Sequence, residues 1–215
     1  ANWQQAAAVP LAALTAWQSL IEGAAVQAGE RVLVCGERDG LKPAGYDLGN
    51  GPGEFSAARV RGSVLVMATT NGTPAILRAR PALRTLVASF LNLGATIEAL
   101  DNSGTDIRII CAGEKGGPSW EDTLLGGHIV EGLRSRGLAV GGDGARLALG
   151  MALSTKEQPL AEVLRQGAGG QRLLRQGFAH DIEHASQVDS LRMVAVLRSD
   201  PARVEIDPVA GIGWA

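Results

Sequence analysis

The chain has 215 residues, of which 46% are apolar and 4% aromatic, with 29 glycines and a formal net charge of −2. The apolar fraction is too high and the net charge too low for a disordered chain, and the length suits one domain of roughly 100–200 residues or slightly more. No apolar run of about 18 residues indicates a membrane span, and no basic patch indicates nucleic-acid binding. With only two cysteines and no basic leader, we expect a cytoplasmic protein.

Hydrophobic periodicity predicts alternating strands and helices in the first part of the chain. The first predicted helix covers Leu11–Ala28. Nearly continuous apolar runs, typical of strands covered on both faces, predict four strands: Arg31–Cys35, Ser63–Ala68, Arg84–Ala88 and Asp106–Cys111. Three further helices are predicted among them: Pro74–Arg80, Phe90–Asn102 and Trp120–Arg136. This order favours a parallel sheet with right-handed crossovers.

The second half is predicted to be rich in helices. They cover Asp143–Leu153, Pro159–Gln166, Gln171–Gln176 and Ala179–Val188, and two closing strands follow at Met193–Arg198 and Arg203–Ile206. Gly167, Gly169 and Gly170 are interpreted as helix breaks. We therefore predict the α/β class, as a three-layer α/β/α arrangement with a mainly parallel sheet and a helix-rich second half. It forms a single domain over residues 1–215, with a subdomain change near residue 140.

Polar, glycine-rich loops follow the four predicted strands, where open α/β sheets bind their ligands. They are Gly36–Asn50, Thr69–Pro74, Ser89–Asn92 and Ala112–Asp122. In Thr69–Pro74, Asn-Gly tolerates positive φ, Thr73 can cap a helix and Pro74 can take its first position. Its amides and hydroxyls would then hold an anion such as phosphate, although an ordinary strand-to-helix turn explains the segment equally well.

Glu37, Asp47, Glu121 and Asp122 lie in these loops, and Glu54 follows the first of them. Beside a phosphate, Mg²⁺ takes one or two carboxylates, so the grouping is compatible with a magnesium site. Each carboxylate alone is more often a surface charge, and Ser119 with Asp122 also forms a capping box. Arg38 can hold a carboxylate, phosphate or sulfonate by paired hydrogen bonds.

Other motifs are absent or weak. Neither glycine-rich nucleotide fingerprint occurs. Cys111 lacks the following arginine of a thiol phosphatase, so Cys35 and Cys111 are interpreted as buried structural thiols. His180, Glu183 and His184 match the inverted zincin order H-x-x-E-H, but an exposed amphipathic helix is favoured over a zinc peptidase.

Five segments, in this order along most of the chain, resemble the 2-phosphosulfolactate phosphatase family, Mg²⁺-dependent acid phosphatases associated with coenzyme M biosynthesis. The segments are Gly36–Phe55, Thr69–Ile76, Ser89–Asn92, Cys111–Leu124 and Gly177–Asp189. The resemblance implies hydrolysis of 2-phospho-3-sulfolactate to sulfolactate and phosphate with Mg²⁺. Family members usually begin with a strand and an Asp-Val-Leu-Arg-Ala-Thr-like segment, which we expect to supply an Asp and an Arg to the site, and this N-terminal segment is not found here.

The resemblance, together with the positions at strand ends, assigns the candidate site residues. Catalytic roles fall on Glu37, Arg38, Asp47 and Asn71. Substrate or phosphate binding falls on Asn50, Thr70, Gly72, Thr73, Asn92, Gly113 and Ser119, and metal binding falls on Glu121 and Asp122. We expect a small anionic phosphoester as the partner, no nucleic acid and no membrane, and we leave a homodimer open. The alternatives are a phosphatase for another small anionic phosphoester and a non-catalytic anion-binding protein.

Overall fold

A computed structural model of the chain describes residues 29–101, 104–199 and 202–207. The predicted helix Leu11–Ala28 lies outside the described residues. The described chain divides into two compact units. Unit 1 contains residues 29–73, 198–199 and 202–203, and unit 2 contains residues 74–101, 104–197 and 204–207. A single domain with a change near residue 140 stays a prediction.

Unit 1 is built on two parallel strands, β1 (Arg31–Gly36) and β2 (Ser63–Ala68). Their register runs from Arg31 opposite Ser63 to Gly36 opposite Ala68. Both strands are confirmed, and the connection between them contains a 3₁₀ turn (Pro52–Glu54) and the short helix α1 (Ala57–Val60). Because the strands are parallel, the loops that follow Gly36 and Ala68 begin at the same edge of the pair.

Helix α2 (Gly72–Arg78) begins two residues before the predicted start at Pro74. Thr73 therefore lies within the first turn, and its N–H donates to Thr69 Oγ1 at 3.1 Å. The Thr69 N–H donates in return to Thr73 Oγ1, also at 3.1 Å. The assignment of Thr73 as the cap and Pro74 as the first helical residue is wrong. The Thr69 hydroxyl accepts the Thr73 N–H, and the helix therefore begins earlier in the chain, at Gly72.

The remaining elements follow along the chain. They are β3 (Leu86–Val87), α3 (Leu93–Asp101), α4 (Trp120–Arg134), α5 (Gly142–Thr155), α6 (Leu160–Gln166), α7 (Ala168–Arg175), α8 (Ala179–Ala185), β4 (Val194–Ser199) and β5 (Ala202–Asp207). The predicted helices in this region are confirmed with shifted ends, and the first turn of one of them is the 3₁₀ turn Phe90–Asn92. None of the helices within the described ranges has both the length and the apolar character needed to cross a membrane.

The third predicted strand pairs differently from the prediction. Only Leu86 and Val87 form a strand, which runs antiparallel to β4 with Leu86 opposite Val196, in a sheet of order β3-β4-β5. Among the described strands, β1 and β2 form a separate parallel pair. A parallel third strand is therefore wrong, because the closing strand β4 pairs with this segment and the chain turns into a capped 3₁₀ helix at Ser89.

The predicted strand Asp106–Cys111 is also wrong, since these residues form no strand. Ile107 packs against the hydrophobic core, whereas Ile109 and Ile110 are 39% and 55% exposed. A strand needs a neighbouring backbone to complete its hydrogen bonds. An apolar run indicates burial but does not provide that neighbour.

The core of unit 2 lies among its helices. Its buried side chains are Phe90, Leu93, Ile97, Leu124, Ile129, Leu133, Val163, Leu164 and Ile182. Beside this core, α4 and α5 approach each other closely at Gly127. A Cβ atom at Gly127 would lie 2.0 Å from the carbonyl oxygen of Ala148 and 2.9 Å from Ala152 Cβ. Only a glycine allows this separation of the two helices.

We predict opposite effects for alanine at two adjacent buried glycines of α4. Gly127→Ala forces the α4 and α5 backbones apart and lowers the free energy of unfolding by about 1–3 kcal/mol. Gly126→Ala would make only ordinary contacts, at 3.5 Å from Ile109 Cγ2 and 3.8 Å from Cys111 Sγ. It gains up to about 1 kcal/mol of helix propensity. Urea unfolding of both variants is the measurement, and equal effects would contradict the close approach at Gly127.

Candidate functional site

In unit 1, the Glu37 carboxylate joins the loop after β1 to the turn after β2. Glu37 Oε1 accepts from the Thr70 N–H at 2.7 Å, and Oε2 accepts from the Gly40 N–H at 2.8 Å. Both oxygens thus bond to backbone amides, one in each loop. This contact brings Glu37 and Thr70 together as expected for the ends of neighbouring parallel strands, and it makes Glu37 an organiser of both loops.

Arg38 lies on a tight turn in the same loop. Arg38 and Leu41 exchange backbone hydrogen bonds of 2.9 and 3.1 Å. The two central residues, Asp39 and Gly40, have φ values of +55° and +79°, as is typical of Asp-Gly turns. Arg38 itself is exposed. Its side chain can therefore reach a solvent-borne anion.

Asp47 lies on a segment that runs beside β1. The Val34 N–H donates to Asp47 Oδ2 at 2.8 Å, and the Asp47 N–H donates to the Val34 carbonyl at 2.8 Å. In the same segment, Glu54 Oε1 accepts from the Gly49 N–H at 3.0 Å. Burial raises the pKa of the Cys35 thiol, and the Asp47 and Glu54 carboxylates raise this pKa further. Cys35 is fully buried, so its interpretation as a structural thiol is confirmed.

The turn predicted to hold phosphate already has acceptors for two of its amides. Glu37 accepts from the Thr70 N–H, and the Thr69 hydroxyl accepts from the Thr73 N–H. Asn71 and Gly72 lie between them and are half-buried, while Thr70 is exposed. Asn50 is exposed at the end of the preceding loop. Binding of phosphate by these residues stays a prediction.

In unit 2, three predicted residues meet at the first turn of α4. Ser119 is buried and caps the helix, because its Oγ accepts from the Asp122 N–H at 3.2 Å. Asp122 Oδ2 accepts from the Gly113 N–H at 2.8 Å. Gly113 has a φ of +75°, and a Cβ there would lie 2.5 Å from the Gly117 carbonyl oxygen. The Ser119 cap is confirmed, whereas the Asp122 carboxylate, predicted to complete a capping box with Ser119, accepts from the Gly113 N–H and orders the glycine-rich loop before it.

Asn92 is buried among backbone groups of the same unit. Its Oδ1 accepts from the N–H and hydroxyl of Ser89 at 2.8 and 3.0 Å. Its Nδ2 donates to the carbonyls of Val87 and Met193, both at 3.3 Å. These contacts connect the segment after β3 to the residue before β4. The structure gives Asn92 this connecting role, and substrate binding by Asn92 stays a prediction.

Within residues 29–101, 104–199 and 202–207, no three His, Cys, Asp or Glu side chains assemble as a metal-binding group. His180, Glu183 and His184 do lie on a helix, α8. The Glu183 carboxylate, however, is paired with the Arg165 guanidinium. Its position is therefore explained by an ion pair on the helix surface.

Cys111 differs from its prediction as a buried thiol, because the residue is exposed. Its sulfur nevertheless lies close to helix α4, because a Cβ atom at Gly126 would be 3.8 Å from Cys111 Sγ. Desolvation and the nearby Asp122 carboxylate raise the pKa of this thiol. Cys111 is therefore mostly protonated at neutral pH despite its exposure.

A cavity of about 210 Å³ lies in unit 2, and none of the predicted site residues lines it. Phe90 and Leu93 form part of its apolar wall, and His128 and Lys156 form part of its polar wall. The His128 ring meets the Phe90 ring edge-on, with centroids 5.6 Å apart. Burial lowers the pKa of His128, against the opposing effect of Glu131, and Lys156 lowers this pKa further.

Arg172 is a residue that the sequence interpretation missed. It lies on α7 and pairs with Glu114 in the loop between Gly113 and Gly117, 58 residues earlier in the chain. The nearby glycines, Gly167, Gly169 and Gly170, were the available signal, because they allow a helix to approach other backbone and side chains closely.

The described residues define a mixed α/β protein in which polar, glycine-rich loops follow parallel strands and precede helices. The family model of 2-phosphosulpholactate phosphatase matches residues 9–200. The chain therefore belongs to the 2-phosphosulfolactate phosphatase family, whose members are phosphoric monoester hydrolases.

Curated relatives show the same similarity. A probable 2-phosphosulfolactate phosphatase of Thermotoga petrophila is 40% identical over 177 residues, which are 82% of this chain and 75% of the relative. The Thermotoga maritima protein of the same name has the same identity and coverage. A third, from Deinococcus radiodurans, is 39% identical over 168 residues, covering 77% of this chain and 69% of the relative.

We predict that Glu37→Gln frees one loop amide from its hydrogen bond. An amide side chain has a single acceptor oxygen, so it satisfies only one of the Gly40 and Thr70 N–H groups. Amide hydrogen exchange at that position is expected to become faster, while exchange in β1 and β2 changes little. Glu30→Gln, an exposed change just before β1, is the control. Unchanged exchange at both Gly40 and Thr70 would refute the bridging role.

We predict that His128 makes the protein less stable in mild acid. Its folded-state pKa lies below the ordinary value of 6.5, so the unfolded chain binds more protons below that pH. The free energy of unfolding therefore falls as the pH drops below about 6.5, until the folded-state pKa is passed. His128→Gln is expected to reduce this fall in urea titrations at several pH values. His184→Gln, which removes an exposed imidazole on α8, is the control, and the prediction fails if His128→Gln leaves the acid-side slope unchanged.

Proposed function

We propose that this chain hydrolyses the phosphate monoester of 2-phospho-3-sulfolactate to sulfolactate and phosphate, with Mg²⁺. The observation that carries the proposal is the family match over residues 9–200. The relatives at 39–40% identity are named for the same reaction. The parallel strands of unit 1, with Glu37 and Thr70 joined at their ends, are compatible with a phosphate-handling loop system.

Unit 1 supplies the groups proposed to bind the anion. Arg38 is exposed beside a hydrogen-bonded two-residue turn, and its planar guanidinium suits the paired oxygens of a carboxylate or sulfonate. Asp47 has one carboxylate oxygen bonded to the Val34 N–H, which orients the side chain and leaves a second oxygen to face a ligand. Asn50 and the turn over residues 70–73 are proposed to contact the phosphate.

Glu121 and Asp122 of unit 2 are proposed to hold Mg²⁺. They fit a magnesium site in their chemistry, because they are adjacent half-buried carboxylates and Asp122 is oriented by the Gly113 N–H. Two carboxylates suffice where phosphate oxygens and water complete the coordination. When bound, Mg²⁺ would offset the negative charge that develops on the phosphoryl oxygens.

The finer parts of the sequence interpretation belong to the same proposal. They are the three-layer α/β/α arrangement, the association with coenzyme M biosynthesis, the cytoplasmic location and a homodimeric assembly. The mixed α/β structure is compatible with the proposed arrangement, and family membership is compatible with the proposed biosynthetic association.

We predict that the protein releases phosphate from 2-phospho-3-sulfolactate and that Asp47→Asn lowers kcat/KM by about 10²-fold or more. Asparagine keeps an acceptor oxygen for the Val34 N–H, so the fold is retained while the negative charge is lost. Asp143→Asn is the matched control, because Asp143 is 95% exposed on α5. Assays with and without Mg²⁺ give the metal dependence.

The same assay separates the competing functions. If another small phosphoester is hydrolysed with a higher kcat/KM than 2-phospho-3-sulfolactate, that compound becomes the proposed substrate. If calorimetry shows tight binding of 2-phospho-3-sulfolactate and the assay shows no turnover, the protein is an anion-binding protein. Full activity in Asp47→Asn would remove Asp47 from the reaction.

A further inference from the structure

Helix α7 of unit 2 contacts the loop over residues 113–117 and the first turn of α4 through two residues on one helix face. Gly169 and Arg172 are three positions apart and therefore adjacent on the helix surface. The Arg172 guanidinium pairs with Glu114, and a Cβ atom at Gly169 would lie 2.2 Å from Glu121 Oε1. The same helix face thus meets one loop carboxylate and one carboxylate proposed to bind metal.

Glu114 begins a tight turn whose geometry is coupled to Asp122. Glu114 and Gly117 exchange backbone hydrogen bonds of 3.0 and 2.8 Å. Gly113, next to Glu114, donates its N–H to Asp122 Oδ2. Moving Glu114 would therefore move the amide that orients the Asp122 carboxylate.

The segment before α7 is tightly packed against α4, so the helix has little freedom to shift. Trp120 Nε1 donates to the Val163 carbonyl at 2.9 Å. A Cβ atom at Gly167 would lie 2.8 Å from Trp120 Cβ. These contacts fix the position of the helix that carries Arg172, and therefore the position from which Arg172 reaches Glu114.

Arg172 also has an incompletely satisfied side chain. Within the described residues, its Nε atom is buried and has no hydrogen-bond partner. Buried donors without partners are rare in native proteins and call for a specific reason. The Glu114 pair is made by a different nitrogen of the same guanidinium, Nη1, so the side chain is held at Glu114 although its buried Nε is unpaired.

We propose that Arg172 is a positioning residue of the phosphatase reaction, acting through Glu114 to hold the turn over residues 113–117 and the Asp122 carboxylate. This inference rests on the proposed function. Arg172 touches neither substrate nor metal in this role. Its contribution is to keep the carboxylate of Asp122 in the orientation that catalysis uses.

The test compares Arg172→Gln, Arg172→Lys and Glu114→Gln in the full chain, with Arg175→Gln, a change at an exposed arginine about one turn further along α7, as the control. Arg172→Gln and Glu114→Gln are each expected to lower kcat by about 10-fold, the lower end of the effect of losing a direct partner of a metal ligand, because both act on Asp122 through the Gly113 N–H. Lysine at position 172 keeps the charge and is expected to recover part of the loss. The double variant Arg172→Gln/Glu114→Gln is expected to be no worse than the single variants, because both remove one interaction.

A second measurement does not depend on activity. Amide hydrogen exchange at Gly113 and Gly117 is expected to become faster in Arg172→Gln and in Glu114→Gln, and to stay the same in Arg175→Gln. If Arg172→Gln does not fold, Glu114→Gln tests the same pair without altering α7.

The outcomes separate the two proposals. An unmodified protein that does not hydrolyse 2-phospho-3-sulfolactate refutes the proposed function, while the exchange data still test the Arg172–Glu114 connection. An active protein whose variants keep both kcat and exchange at Gly113 and Gly117 unchanged overturns the positioning role. A lower unfolding temperature with unchanged kcat also overturns it, since that result indicates a purely structural ion pair.

Discussion

Backbone N–H groups in the glycine-rich loops, in β1 and in the first turn of α3 need acceptors, and in this protein acidic side chains provide them. An unpaired buried amide costs free energy comparable to a lost hydrogen bond. A carboxylate acceptor makes a shorter and stronger bond than a neutral one. The pairs are Glu37 with Gly40 and Thr70, Asp47 with Val34, Glu54 with Gly49, Asp122 with Gly113, and Asp189 with Gly94. The conformations of both the strand-end loops and the start of α4 depend on these bonds.

The acidic residues differ in how many of their carboxylate oxygens accept backbone N–H groups. Asp47 and Asp122 each accept a backbone N–H through Oδ2, and this hydrogen bond orients the carboxylate. Glu37 uses both oxygens on amides of two separate loops. Glu37 therefore connects the two loops, whereas Asp47 and Asp122 are the carboxylates to which the proposed function assigns roles in the reaction.

Several glycines lie where another segment of the chain comes too close to leave room for a Cβ atom. Gly36 allows the carbonyl oxygen of Ala68 to come within 1.9 Å of where a Cβ would be, and Gly127 allows α4 and α5 to approach at Ala148. Gly169 leaves room for the Glu121 carboxylate beside α7. The sequence interpretation of Gly169 as a helix break missed this, because a close approach depends on residues that are distant along the chain.

The sequence by itself determined the features that depend on near neighbours. The parallel strands β1 and β2, the helix α4 and its Ser119 cap follow from local apolar runs and capping residues, and family membership follows from ordered motifs along the chain. Tertiary structure decided the rest. The antiparallel partner of β3, the absence of a strand at residues 106–111 and the Arg172–Glu114 pair each require segments far apart in sequence to meet. Local pattern cannot determine which backbone or side chain will be the neighbour, since hydrogen bonds and ion pairs are completed only when the chain has folded.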